Sequence, residues 1–274
     1  MPPKIVWGPR TGAGGAGARV RHTLRMATTI LITGASSGLG AEMARQLAAG
    51  GNDLALCARR LDRLEQLRDE ILAAHPGRRV EVRALDVCDD DAVFEVFRSL
   101  HADLGRIDRF VVNAGIGKGA PLGTGRFDAN RETAMTNFVA ALAQTEAAME
   151  VLRAQESGHL VLVASMGALR GLPRAVTTYA ATKAAVASLG QGLQAELHGT
   201  PIKVTVLYPG YIVSEMNDVG DNRPPLMATT EKGVRSMVAA IEKEPLKAYV
   251  PAWPWAPLSF VLEHAPMSVV RKMV

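Results

Sequence analysis

The chain has 274 residues, 48 % apolar and 21 % charged, which are values of an ordinary globular protein with a sizeable core. Its formal charge is +4, and residues 1–25 contribute Lys4, Arg10, Arg19, Arg21 and Arg25 with no acid. No basic face interleaved with aromatics points to nucleic acid, no run approaches the ~20 apolar residues of a membrane span, and two cysteines are too few for a structural zinc site.

Those cysteines, Cys57 and Cys88, lie in or beside apolar runs and are expected as small buried hydrophobes in a reducing compartment. The first stretch has Gly12, Gly14, Gly15 and Gly17 close together, but no adequate strand precedes them and no amphipathic helix follows. Gly12-x-Gly14 is therefore not read as a phosphate loop. The stretch also lacks the apolar core of a secretory signal. The pattern becomes fold-like at Met26, so residues 1–27 are expected to be a disordered leader, or the natural start is Met26.

From residue 29 short β-like runs alternate with helical ones. Strands are expected over 29–33, 53–58, 80–85, 109–113, 159–164, 203–208 and 248–250. Helices are expected over 39–49, 61–74, 89–102, from the glycine-rich loop at 115–125 to about 153, up to about 197, and over 231–243. Asp89 or Asp90 can cap the third of these. Such alternation predicts an α/β fold, a Rossmann-type doubly wound parallel sheet in a single domain spanning 28–250. In that architecture ligands bind outside the carboxyl ends of the strands, so the turns after residues 33, 58, 86, 113, 165 and 209 should share one edge.

Those turns hold the chemistry. Gly34, Ser36, Ser37, Gly38, Leu39 and Gly40 lie between a strand and a helix, where glycine lets backbone approach a pyrophosphate and the helix N-terminus offers N–H groups. The second strand ends in Ala58-Arg59-Arg60. An acid there would read a ribose 2′-hydroxyl, whereas guanidinium suits a 2′-phosphate, so NADP is favoured over NAD. Asp86 and Val87 follow the third strand, where an adenine ring would lie, and Asn113, Ala114 and Gly115 follow the fourth, where the cofactor would cross. Tyr179 and Lys183 are spaced i, i+4 and share a helix face, with Ser165 upstream. A cation beside a phenol lowers its pKa, which would make Tyr179 a proton donor and acceptor, with Ser165 as a second donor to a carbonyl oxygen. Alone, that spacing also fits a solvated helix face.

Together these motifs resemble the short-chain dehydrogenase/reductase family over residues 28–250. The resemblance rests on Thr33-Gly34-x-x-x-Gly38-x-Gly40, Asn113-Ala114-Gly115, Ser165 with Tyr179-x-x-x-Lys183, and Pro209-Gly210. It implies that Tyr179 exchanges the proton, Ser165 holds the substrate oxygen, and Lys183 binds the nicotinamide ribose and depresses the Tyr179 pKa. It implies further that Asn137 supports a proton relay and that Pro209, Gly210, Ile212 and Ser214 meet the nicotinamide end. Ser165 and Tyr179 stand one residue further apart than in many members, and Ser214 replaces the usual threonine.

The expected function is NADP(H)-dependent hydride transfer to or from a small-molecule carbonyl or alcohol. The alternatives are a 3-oxoacyl thioester reductase and a non-catalytic NADP-binding sensor or scaffold. The substrate would face 115–125, 166–172 and the stretch after Gly210, where residues 217–225 read as a lid. The family also implies a homo-dimer or homo-tetramer through the helices bearing Asn137 and Tyr179. The 251–274 tail holds Trp253, Trp255, Phe260 and several aliphatics. It is expected to pack on its own domain or a sister subunit, or to seat a cytoplasmic protein on a membrane surface.

Overall fold

The computed structural model describes residues 27–117, 119–217 and 226–273. The Gly12 cluster, Met26 and most of the expected lid lie outside the described residues. The strands are β1 (Thr29–Thr33), β2 (Asp53–Ala58), β3 (Val80–Ala84), β4 (Arg109–Val112), β5 (Gly158–Val163), β6 (Ile202–Pro209) and β7 (Lys247–Val250). They form one sheet in the order β3-β2-β1-β4-β5-β6-β7, every neighbouring pair parallel.

The helices are α1 (Gly38–Ala49), α2 (Leu61–Ala74), α3 (Asp90–Leu104), α4 (Phe127–Ala134), α5 (Ala140–Ala154), α6 (Thr177–Glu196), α7 (Thr230–Lys243), α8 (Ala252–His264) and α9 (Met267–Met273). Side chains alternate along each strand, so the sheet feeds two cores. Ile30, Ile32, Leu54 and Leu56 pack with Met43 and Leu47 of α1, Leu64 and Ile71 of α2, and Met237 and Ile241 of α7. Leu31, Ala55, Phe110 and Leu160 pack on the opposite face with Phe97 and Leu100 of α3, Leu152 of α5 and Val186 of α6. Each fully buried Leu, Ile or Phe contributes about 1.5–3 kcal/mol, so these two layers fix the strand register. The chain runs outward from β1 to β3, then returns to place β4 beside β1, and this reversal opens a crevice at the carboxyl ends.

Local chemistry sets the boundaries. The Asp89 side chain accepts from the Ala92 N–H at 3.1 Å, and Thr229 caps α7 by accepting from the Lys232 N–H at 3.3 Å. β4 stops one residue before its expected end, because the N–H groups of Asn113 and Ala114 donate to the Thr33 hydroxyl instead of extending the ladder. The long helix after the glycine-rich loop is interrupted by a π-helical turn at Met135–Val139.

Two expectations need correction or refinement. Cys57 is buried, but Cys88 is exposed: it sits in the turn after β3, its Sγ 3.4 Å from the Thr136 hydroxyl. The tail is helical and packs on its own domain, burying Trp255 and Leu262 against Val206 and Tyr208 of β6.

Candidate active site

The carboxyl ends of the strands open into a cleft of about 810 Å³. Every residue singled out above for nucleotide binding or catalysis lines it, except Asn137, which lies buried behind the wall.

At the glycine-rich turn, Gly34 adopts φ +65°, and a Cβ there would stand 2.9 Å from the Ala114 Cα. A Cβ on Gly40 would collide with the Gly34 carbonyl oxygen. Only glycine allows β1, the loop after β4 and the start of α1 to meet this closely. The first turn of α1 carries no acid, and Ser37 makes no side-chain cap bond. The positive end of the helix is thus offered to an anion in the cleft.

The end of β2 supplies the cations. Arg59 is exposed on the cleft wall. The Arg60 guanidinium donates to Ser36 Oγ at 3.2 Å and to Ser37 Oγ at 2.7 Å. It also meets Glu215 Oε2 at 3.3 Å, while Arg63 reaches Glu215 Oε1 at 2.8 Å. The exposed Asp86 side chain accepts from the Cys88 N–H at 3.0 Å.

At the other end, the loop after β4 is held from behind. Asn137, in the π-helical turn, accepts from the Ile116 N–H at 2.8 Å and donates to the Ile116 carbonyl at 2.9 Å. Asn130, seven residues and about two turns back, makes the same paired contact with Ala120 at 3.2 and 3.1 Å. Its Oδ1 also accepts from the Thr178 hydroxyl at 3.0 Å, tying this loop to the start of α6.

Ser165 stands two residues past the end of β5, and its Oγ accepts from the Gly167 N–H at 3.1 Å. A Cβ on Gly167 would lie 3.5 Å from Ser165 Oγ and 3.7 Å from the Tyr179 ring, so the two side chains flank one small gap. Lys183 is 6 % exposed and donates to the Val163 carbonyl at 2.9 Å. A Cβ on Gly115 would stand 3.4 Å from Lys183 Nζ.

The electrostatics differ from the expected pattern. Burial pushes the Tyr179 phenol above its ordinary value, and the Ser165 hydroxyl pulls only partly the other way. Burial draws the Lys183 ammonium down to about 8. Lys183, expected to depress Tyr179, is not among the groups that act on it; desolvation leads, with Ser165 lowering and Tyr211 raising.

The cleft joins a helix N-terminus and two arginines at one end to a hydroxyl, a phenol and an amine at the other, an arrangement that suits an extended anion. Residues 28–223 match the family model described as short chain dehydrogenase. The chain belongs to the short-chain dehydrogenase family. An uncharacterized oxidoreductase of Mycobacterium tuberculosis (strain H37Rv) is 51 % identical over 243 residues, covering 89 % of this chain and 96 % of that protein. The alcohol dehydrogenase of the archaeon Thermococcus sibiricus, solved with 5-hydroxy-NADP, is 25 % identical with a TM-score of 0.73. It covers 81 % of this chain and 95 % of that one. A closed form of serine dehydrogenase with NADP+ is 26 % identical with a TM-score of 0.72, over 82 % and 95 % of the two chains. The protein is an oxidoreductase of the short-chain dehydrogenase family.

Within this family member, four features escaped the sequence. Asn130 looks like an ordinary helix residue until its amide is seen against Ala120. Glu215 is remote in sequence from Arg60 and Arg63, so no spacing signals their cluster. Between Ser165 and Tyr179 the chain makes a short 3₁₀ turn at Arg174–Val176, entered through Arg174 at φ +62°. Trp255 reads as tail but packs beneath the Pro209-Gly210 turn.

Proposed function

We propose that the protein transfers a hydride between NADP(H) and the carbonyl or alcohol carbon of an apolar small molecule. The observation that carries this reading is the meeting of Ser165, Tyr179 and Lys183 at one end of a cleft whose other end holds Arg59 and Arg60. The cradle fits a dinucleotide, since Gly34 and Gly40 leave only backbone where a pyrophosphate would pass. Similar solved structures carry an NADP compound in two cases and NAD in another, so the choice of NADP over NAD rests on Arg59 and Arg60.

When bound, the nicotinamide gives or takes the hydride. The first turn of α1 receives the pyrophosphate, and Arg59 and Arg60 receive the 2′-phosphate. Asp86 and Val87 would hold the adenine, and Asn113, Ala114 and Gly115 would lie along the crossing. Pro209, Gly210, Ile212 and Ser214 would meet the nicotinamide, and Lys183 would hold its ribose. The Ser165 hydroxyl donates to the substrate oxygen, and Tyr179 supplies the proton to that oxygen in reduction or removes it in oxidation. Asn137 keeps the Ile116 backbone in place and thereby the wall opposite Tyr179. Ile116 and Met216 give the substrate end its apolar character.

We read the assembly as a homo-dimer or homo-tetramer through α5 and α6, on whose surface Leu142 is exposed. The exposed tail residues Trp253 and Phe260 support contact with a membrane surface.

NADPH consumption with a panel of apolar aldehydes and ketones tests the function. Tyr179→Phe is expected to abolish turnover and leave nucleotide affinity within about twofold, because only the proton-transferring hydroxyl is lost. Retained turnover would remove Tyr179 from the chemistry.

A further inference from the structure

Glu215 sits in the middle of a small built anion site. Its Oε1 accepts from Arg63 at 2.8 Å, and its Oε2 is met by both terminal nitrogens of Arg60 at 3.3 Å. Arg60 at the same time donates to the Ser36 and Ser37 hydroxyls of the glycine-rich turn. The cluster draws on three separate stretches: the β1–α1 turn, the start of α2 and the segment after β6. Arg63, Arg60 and the Ser37 hydroxyl hold the Glu215 carboxyl below the usual carboxylate range despite the opposing effect of burial. Two cations and a hydroxyl gathered on one carboxylate are also what a phosphate monoester would require.

We propose that Glu215 is a specificity-determining residue, a resident carboxylate that competes with the cofactor's 2′-phosphate for Arg60. This inference rests on the reading of Arg59 and Arg60 as the 2′-phosphate site. The exchange is feasible because the ion pairs are exposed, at 42 %, 43 % and 57 % for the Arg60, Arg63 and Glu215 side chains. Exposed pairs are weak, and a phosphate carries a charge of about −1.5 to −2 against the carboxylate's single charge. A nucleotide with a 2′-hydroxyl brings no anion to this spot and leaves the clasp closed. Glu215 therefore lowers NADPH affinity selectively, and Arg60 responds to the phosphate only as far as Glu215 releases it. Arg59 makes no such internal pair among the described residues and serves as the constant part of the subsite.

The test is calorimetric titration of the full chain with NADPH and NADH in the wild type, Glu215→Gln, Arg60→Gln and the double variant. Glu215→Gln is expected to tighten NADPH binding about tenfold and to leave NADH within about twofold, since like-charge repulsion is lost only for the phosphorylated nucleotide. In the Arg60→Gln background that gain should shrink. If the wild type prefers NADPH but Glu215→Gln leaves the NADPH-to-NADH ratio unchanged, the inference falls while the cofactor reading stands. Equal weakening of both nucleotides would likewise overturn it, making Glu215 a strap for the post-β6 segment instead. A wild type that prefers NADH, or binds neither nucleotide, overturns the cofactor reading and the inference with it.

Discussion

The indole of Trp255 fills the space into which a side chain on Gly210 would project: a Cβ built there would collide with the ring. Gly210 lines the cleft, whereas Trp255 belongs to α8, so the tail forms the back of the site's floor. Tyr211 adds an edge contact to the same ring, with centroids 5.5 Å apart.

Gly210→Ala is accordingly expected to destabilise the protein by roughly 1–3 kcal/mol, the range for overpacking a rigid contact. Gly192→Ala is the contrast, because a Cβ at that position on α6 meets nothing within 4 Å. It should stabilise by about 0.5–1 kcal/mol through helix propensity alone. Thermal unfolding of the two variants measures the difference, and matching shifts would show that the Trp255 contact yields.

Lys183 gives a pH-dependent expectation. Its folded pKa of about 8 lies below the ordinary value of 10.5, so the folded state disfavours the ammonium. Between those two values the unfolded chain binds more protons, and stability rises with pH across that window. Lys183→Met should therefore unfold at a higher temperature than wild type at pH 7, by a few degrees, and the gap should close as pH approaches 10.5. The same variant should lose turnover. A lower melting temperature at pH 7 would show that the bond to the Val163 carbonyl outweighs the desolvation cost.

His159 works in the acid range. It is buried on β5 with a ring nitrogen 2.8 Å from the Thr205 hydroxyl, and burial, aided by Arg109, draws its pKa to about 3. The unfolded imidazole takes a proton below its ordinary value of 6.5, so stability is lost as pH falls from there toward 3. Glu244 Oε1 lies 3.9 Å from His159 Nδ1 and is the group that could favour the charged form. His159→Gln is expected to flatten the fall in melting temperature between pH 6.5 and 4. An unchanged slope would assign the acid loss elsewhere.

The order of the motifs was legible because each lies where a strand of β-branched and apolar residues stops. Gly34, Asn113, Ser165 and Gly210 each stand at or just past the carboxyl end of a strand, and a parallel sheet brings those ends together whatever the intervening helices are. What could not be read is what depends on side-chain reach. Cys88 follows an apolar run yet faces the cleft, because Leu85 and Val87 are buried around it and the turn directs it outward. The π-helical turn that aims Asn137 at Ile116 leaves no mark in the spacing of apolar residues. The Arg60–Glu215 contact joins residues far apart in sequence, beyond any local pattern.

The tail makes a separate expectation. Trp253 is 80 % exposed and Phe260 65 %, while Trp255 beside them is buried. No helix among the described residues is long and apolar enough to cross a membrane. Trp253→Ser with Phe260→Ser should reduce co-sedimentation with anionic phospholipid vesicles several-fold and leave the fold intact, since neither side chain is in the core. Equal co-sedimentation of variant and parent would remove the membrane surface as a partner.

The most direct measurement is the calorimetric titration of the purified wild-type protein with NADPH and, separately, with NADH. NADPH is expected to bind at least several-fold more tightly, and Arg59→Ala to narrow that preference by weakening NADPH alone. Equal or tighter binding of NADH would contradict the assignment of Arg59 to the 2′-phosphate, and binding of neither would contradict a nicotinamide-dependent reaction in this cleft.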